Sequence, residues 1–596
     1  MNIPGRSLTA VLCLFLAGAE TPLVRVPNPA AALRPESDDQ RQARHDEVSR
    51  ARRETILMAH GGTATPGPDN TLSAIRSTLA LGCPAVELDV RRTKDGALVL
   101  FPDERLEYRL DGFGTVEDSY YEELVLARRR DVPPAVADCG RVPVLADVLQ
   151  LLRDRAGLVW LDVKTPKIDL PVLRALAQAE MVDQVIGYSQ DNAQAFGRLG
   201  MPRLRLKGSL AANGAELDPA AVRAVLDRPG QVVLVDDARA ALGLLGKPPA
   251  ACGLTPVEPL SHKPPGETGQ LEAVLWGQSK AVPVRLAAVR LAIAAPGRFV
   301  ALAPELARRP EAEIRRAVAW NLGLIAAHRP ALLDEPSRGT LVDLLGDGAL
   351  AVRAEAAVAC GRANLPAAAA AVLQRLTEPQ PAGDGQPAGH EAVVEARGRY
   401  AYALGLLGDR GAAVATALTR TFQYREAGPN RMWLGVDGAM AAWSLGRLRV
   451  AAAVGLLREA LLWEPPGGAA DDDANGPPRW LVYRDLQVPR FLPEALRAIG
   501  TDEARQALEA AVQLSEAEAA RRSPELLART AEALARFPAE DRPGLLAGLL
   551  QHKSAAVRAA AVQECLRDPQ PGSRALLAQH ADWALPWWDA QHAAKP

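Results

Sequence analysis

The sequence predicts a multidomain fold, a β/α barrel over residues 54–257 followed by an all-α repeat domain over residues 272–585. Three observations carry this expectation. In the first segment, short apolar runs alternate with helical stretches, the pattern of a parallel sheet. The second segment has no convincing strand and carries a recurring helical core whose arginines lie 30 and 38 residues apart. A chain of 596 residues also exceeds what one hydrophobic core supports.

In chain order, Arg6 precedes an apolar run over residues 8–16, and Ala17-Gly18-Ala19 supplies a small-residue cleavage pattern. Residues 1–19 therefore read as a signal peptide, with export to the periplasm or the exterior as the consequence. A buried N-terminal helix is the alternative. The run is too short for a spanning helix of about 20 residues, so no transmembrane segment is expected. Ala19 stands where a lipid-anchored signal would need cysteine. Residues 20–53 mix Pro, Ala, Arg and Asp without an apolar period and read as a flexible leader.

Candidate strands follow at 54–59, 85–90, 97–101, 158–163, 184–188, 203–207, 231–235 and 251–255, with helices between most of them. About eight strands in 200 residues suit a compact barrel, and an open doubly wound sheet is the competitor. In a barrel, His60, Glu87, Asp89, Asp103 and Asp162 all fall at or just after strand C-termini, where barrel active sites gather. Residues 258–271, with Pro264-Pro265-Gly266, read as a linker, 464–478 as a long loop, and 586–596 as a C-terminal tail.

Beyond the linker, Val284-Arg285-Leu286-Ala287-Ala288-Val289 is echoed by Ile314-Arg315-Arg316-Ala317-Val318-Ala319. Val352-Arg353-Ala354-Glu355-Ala356-Ala357 and Val557-Arg558-Ala559-Ala560-Ala561-Val562 repeat it again. Small residues allow adjacent helices to approach closely, and stacked units share one core. The segment resembles HEAT-like repeats, against a generic helical domain. A repeat scaffold implies grooves for a protein partner. The units around 397–405 and 439–446 are degenerate.

Composition narrows the function. A net charge of −2 gives no support for a broad nucleic-acid surface. Cys83, Cys139, Cys252, Cys360 and Cys565 are scattered, without metal spacing or a dense disulfide framework.

The chemistry concentrates at the strand ends. Glu87 and Asp89 are two apart and share a strand face, where they repel unless a cation or proton lies between them. With Asp162 they form three carboxylates suited to a hard divalent ion, Mg²⁺ or Ca²⁺. Asp69 is a candidate for a ligand or a supporting contact behind the ligands. Lys164, two residues after Asp162, can neutralise phosphate and transition-state charge. His60, between an apolar strand and Gly61-Gly62, can transfer a proton. Arg91 is a further candidate substrate contact. The bland alternative pairs solvated carboxylates with Arg91 and Arg92.

The order of motifs resembles the glycerophosphodiester phosphodiesterase family, among the phospholipase-like phosphodiesterase barrels of TIM-like fold. It runs through Ala59-His60-Gly61-Gly62, Pro68-Asp69-Asn70-Thr71, Glu87-Leu88-Asp89-Val90 and Thr93-Lys94-Asp95-Gly96. It continues through Leu98-Val99-Leu100-Phe101-Pro102-Asp103 and Pro143-Val144-Leu145 to Leu161-Asp162-Val163-Lys164. The resemblance covers roughly a third of the chain and fades after about residue 210. It implies hydrolysis of glycerophosphodiesters to glycerol 3-phosphate and an alcohol. It also implies metal ligation by Glu87, Asp89 and Asp162, with His60 as a catalytic histidine and Lys164 beside the third ligand.

Four departures accompany it. Gly61 replaces an arginine, Asp69 a glutamate and Asp162 a glutamate, and Pro102 stands where the family places a second catalytic histidine. Asp103 or Glu104 is the candidate replacement acid. The competing function is a catalytically degenerate barrel serving ligand binding or protein interaction on a HEAT-like scaffold, and a purely structural protein is the third reading.

Overall fold

The computed structural model describes residues 33–53, 56–62, 69–127, 129, 140–165, 169–188, 205–210, 231–235, 238, 242, 267–378, 387–422, 436–462, 489–513, 524–538, 542–585 and 588–589. The candidate strand at 251–255 and the signal segment lie outside them. The chain divides into two compact units: Met1–His262 with Leu546–Pro596, and Lys263–Leu545. The division differs from the expected 272–585 boundary at the C-terminal end.

The first unit is built on strands β1 (Ile56–Ala59), β2 (Ala85–Arg92), β3 (Leu98–Leu100), β4 (Leu158–Val163), β5 (Val185–Tyr188), β6 (Arg205–Leu210) and β7 (Gln231–Val235). Six run parallel in the order β5-β4-β2-β1-β7-β6. That order separates the two architectures weighed above. A doubly wound sheet continues outward after it crosses β1, placing the later strand farther from β1. Here the last described strand, β7, lies against β1 and β6 lies outside it. Succession therefore runs one way round the sheet, as a barrel requires.

One strand is a correction. β3 is no member of the parallel set: it pairs antiparallel with β2, Val90 opposite Leu100 and Arg92 opposite Leu98. It belongs to an excursion with its own core of Val99, Phe101, Leu106, Leu110, Val116 and Leu124. Its apolar composition matches that of a barrel strand, but the turn at Thr93-Lys94-Asp95-Gly96 reverses the chain, with Gly96 at φ +88°.

Helices α1 (Asp38–Ala51), α2 (Leu72–Ala80), α3 (Tyr121–Leu126), α4 (Leu145–Asp154) and α5 (Asp169–Gln178) complete the described part of this unit's N-terminal region. Outward residues Val86, Leu88, Val90, Val159, Leu161 and Val163 pack on apolar faces of α2, α4 and α5. Inward residues Ile56, Met58, Ala85, Leu158, Ile186 and Val232 form a separate core with Val48 of α1.

That contact overturns the flexible leader over residues 33–53, its remainder lying outside the described residues. Helix α1 starts at a capping box between Ser37 and Gln40. Buried Arg44 pairs with both Glu36 oxygens at 3.0 and 2.9 Å, and donates to the Glu180 carbonyl and Gln184 Oε1. The helix has almost no apolar stripe because ion pairs and one valine anchor it. The expected linker is also partly helical, since a helix spans Thr268–Leu275. Within the expected tail, Asp589 pairs with Arg574 and Trp588 donates to the Asp568 carbonyl.

In the second unit every described element is helical. Helices Val284–Ala294, Ala312–His328, Leu350–Arg362, Pro387–Leu407, Val436–Arg447 and Leu492–Ile499 pack in succession. A second layer is formed by pairs such as Pro296–Leu306 with Glu335–Leu344 and Ala369–Thr377 with Ala412–Phe422. No helix among the described residues is long and apolar enough to cross a membrane.

Candidate active site

Registry places the site. Met58 lies opposite Ala85 and Ala59 opposite Val86, so His60, the first residue of the tight turn that follows β1, emerges beside Glu87. Glu87 is in register with Trp160, and Asp89 with Asp162. Two levels result at the strand C-terminal ends: His60, Glu87 and Trp160 below, Asp89 and Asp162 above. Oxygens of Glu87, Asp89 and Asp162 all lie within 4.8 Å of one another.

Each carboxylate is held differently. Glu87 is buried and accepts from the Gly61 N–H at 2.9 Å. His60 Nε2 lies 3.9 Å from the same oxygen, and its side chain is 56% exposed. Asp89 accepts from Asn70 Nδ2 at 2.8 Å and faces Lys164 Nζ at 3.0 Å. Asp162, more open, takes the same ammonium at 2.5 Å.

The electrostatics follow from burial and crowding. Burial, then the neighbouring Asp89 charge, pushes Glu87 up to about 8, against His60 and the Gly61 N–H. Asp89 is raised too, by burial first, with Lys164 opposing. Burial works against the Lys164 ammonium, but Asp89 and Asp162 outweigh it and hold the amine above its ordinary value. One ammonium meets two of the three carboxylates, so the fully ionised cluster would carry excess negative charge in a poorly solvated place, which a proton or a cation relieves.

Donor chemistry fits a hard divalent cation: three carboxylates from two strands, all oxygen, with no competing sulfur or imidazole in the set. Glu87, Asp89 and Asp162 would hold it.

Other candidates have different surroundings. Asp69 is taken by Arg109 and by Arg129, the latter at 3.1 Å, and so supports the site's edge rather than entering the cluster. Asp103 is held by the same Arg109. Glu104 is exposed. Arg91 shares the strand face of Asp89 but donates to Glu117 at 3.1 Å and to the Pro102 carbonyl at 3.3 Å, a use within the fold. His45 meets Asp183 at 2.6 Å, before β5 and away from the strand C-termini.

Sequence reasoning missed Asn70. It is buried, its φ is +55°, and besides holding Asp89 Oδ2 it accepts the Asp89 N–H at 2.9 Å. Its own N–H donates to the Gly61 carbonyl at 2.6 Å. Thr71 then caps α2 through the Ala74 N–H. The visible signal was an Asn-Thr pair before a helix, since asparagine tolerates left-handed backbone. A cavity of about 980 Å³, lined by Arg34, Arg44, Cys83 and Arg153 among others, lies by the segments preceding β2 and β4, at the opposite strand ends.

Known proteins resemble this region. A glycerophosphodiester phosphodiesterase of Caldanaerobacter subterraneus subsp. tengcongensis is 31% identical over 140 residues, 22% of this chain and 56% of the relative. One of Bacillus altitudinis is 29% identical over 163 residues, 26% of this chain and 65% of the relative. The chain thus spans a little over half the length of these relatives. A crystal structure of glycerophosphodiester phosphodiesterase from Agrobacterium tumefaciens str. C58 aligns with 31% of this chain and 99% of its own, at 19% identity and a TM-score of 0.25. The glycerophosphoryl diester phosphodiesterase family model matches residues 60–197, the stretch that contains every residue of the carboxylate cluster together with His60, Asn70 and Lys164.

Proposed function

We propose that the N-terminal unit is a metal-dependent phosphoric diester hydrolase acting on glycerophosphodiesters or related diesters, releasing glycerol 3-phosphate and an alcohol. The observation that carries this reading is the meeting of Glu87, Asp89 and Asp162 with Lys164 and His60 at one end of the sheet. The names of the similar proteins support the same reaction class.

A divalent ion on the three carboxylates, Mg²⁺ or Ca²⁺, would supply positive charge to the phosphate oxygens. The chain's own groups do the rest. Lys164, held between Asp89 and Asp162, offers an ammonium to charge accumulating on the phosphoryl oxygens. As phosphorus gains an oxygen nucleophile, that nucleophile loses a proton and the departing alcohol oxygen gains one. His60 is exposed at the mouth and is placed to carry one of these transfers. The nucleophile is water or a neighbouring substrate hydroxyl; in the second case water later opens a cyclic diester.

One observation favours the alternative of a catalytically degenerate, ligand-binding barrel. The position of Pro102 offers no titratable side chain, and Asp103 beside it is engaged by Arg109. In either case, we read the second unit as a HEAT-like scaffold for a protein partner and the chain as exported.

The test is turnover of glycerophosphocholine and an aryl phosphodiester by the purified chain with Mg²⁺, Ca²⁺, Mn²⁺ or chelator, beside His60→Ala and Asp89→Ala. Metal-dependent turnover lost in both variants supports the hydrolase. Intact metal binding without turnover moves the assignment to the degenerate barrel.

A further inference from the structure

Trp160 sits inside the sheet yet retains partial exposure. It alternates with Leu158 below and Asp162 above, so all three face inward. Leu158 belongs to the inner apolar core, and Trp160 packs against that core as its partly exposed member. In register, Trp160 lies between Glu87 of β2 and Gly187 of β5. The indole is laid over Gly187 itself, since a Cβ there would come within 2.0 Å of Cε3 and Cζ3 of the ring. The glycine leaves the space that the ring fills. The level that begins with His60 and Glu87 therefore continues as a flat aromatic surface toward β5.

We propose that Trp160 determines specificity by receiving the alcohol portion of a phosphodiester bearing a positively charged group with an apolar surface, a quaternary ammonium. This rests on the phosphodiesterase reading for the reaction, but not for the binding. The indole face attracts a cation through its quadrupole, and the apolar shell of a quaternary ammonium suits a surface without hydrogen-bond partners. A neutral polyol gains neither contribution.

The experiment compares glycerophosphocholine with glycerophosphoglycerol on the full chain in Ca²⁺. Selectivity in kcat/KM is read for the wild type, Trp160→Leu, Trp160→Phe and Gly187→Ala. Equilibrium binding of both diesters is read by calorimetry in a His60→Ala background, and competition by tetramethylammonium against potassium is read on the wild type. The expected result is a choline-diester preference of roughly five- to thirty-fold. It should collapse in Trp160→Leu and in Gly187→Ala, which displaces the ring, and survive in Trp160→Phe. Tetramethylammonium should compete where potassium does not. Equal binding of the two diesters, or a preference that survives both Trp160→Leu and Gly187→Ala, overturns the inference. Binding preference without wild-type turnover supports Trp160 as a ligand contact and overturns the hydrolase reading instead. If Trp160→Leu does not fold, the tetramethylammonium competition decides, and its absence counts against the proposal.

Discussion

Asn70→Ala is the sharpest test of how the carboxylate cluster is built. The substitution removes a hydrogen bond to an ionisable oxygen of Asp89 at 2.8 Å and leaves the Asp89 N–H without its acceptor at 2.9 Å. A charged-group hydrogen bond contributes about 1.5–3 kcal/mol, and a buried orphan donor costs about 1–3 kcal/mol. Alanine at φ +55° adds about 1–2 kcal/mol of backbone cost. For cation binding, loss of the group that orients a ligand carboxylate weakens affinity roughly 10- to 100-fold. The assay is calorimetric titration of the full chain with Ca²⁺ and Mg²⁺, beside Asn70→Gly. Glycine relieves the backbone component, so it should melt above alanine while binding the ion equally poorly. If Asn70→Ala binds within about twofold of wild type, while Asp89→Ala abolishes binding, Asn70 does not orient the site and the argument fails.

Three further outcomes follow from the same geometry. Glu87 has an ordinary value of 4.5 and lies near 8 in the folded chain, so the folded state holds a proton that the unfolded state releases. Stability of the ion-free protein should therefore fall as pH rises from about 4.5 to 8 and level off above, a slope reduced in Glu87→Gln and by added Ca²⁺ in thermal melts. Gly61→Arg, which restores the residue type of the resembling family, should lower melting temperature and not raise activity. At φ +57° a side chain costs about 1–2 kcal/mol, and its Cβ would meet Asp69 Cβ at 2.8 Å; higher turnover in the variant refutes this. Arg44→Ala should destabilise the first unit by roughly 2–4 kcal/mol, less than a fully buried pair because Glu36 retains some solvent. It should also expose α1 to limited proteolysis, and an unchanged melt with an intact helix would contradict the anchoring role.

What the sequence made legible was whatever repeats on the scale of one element. Inward and outward alternation on β2 and β4 put Glu87, Asp89 and Asp162 on one face, and the structure gathers them. Two failures have separate causes. β3 looked like a barrel strand because three apolar residues do not state their direction. Helix α1 looked unstructured because its fixation comes from Glu180, Asp183 and Gln184, over 130 residues away. Its one local sign was Ser37 with Gln40, a capping box before a polar run. Asn70 was visible as a motif member, but its role needs a left-handed backbone to aim its amide at Asp89, 19 residues on.

In the helical unit, close contact between successive inner helices continues where the sequence motif does not. Arg315 donates to carbonyls six and five residues upstream, at Arg309 and Pro310. Arg353 does the same to Asp347 and Gly348, and Arg558, outside that unit, to His552 and Lys553. In these three copies the arginine pins the turn that precedes its helix, using acceptors that no helix bond satisfies. Arg315 also grips Asp347 at 2.6 and 2.9 Å, tying one helix pair to the turn of the next. Close approach is supplied separately. A Cβ on Gly323, Gly361, Gly405 or Gly446 would come within about 3 Å of the following inner helix, so each glycine lets a neighbour in. In the stretches 397–405 and 439–446 the arginine motif is lost, but Gly405 and Gly446 still make those approaches. There Arg447 donates to the Gly405 carbonyl at 2.9 Å, and Arg397 reaches Asp437 across the same pair of helices. Close packing of successive inner helices is therefore kept where the arginine motif is absent, with a different donor crossing the contact, and this is why the sequence motif alone understates how far that packing extends.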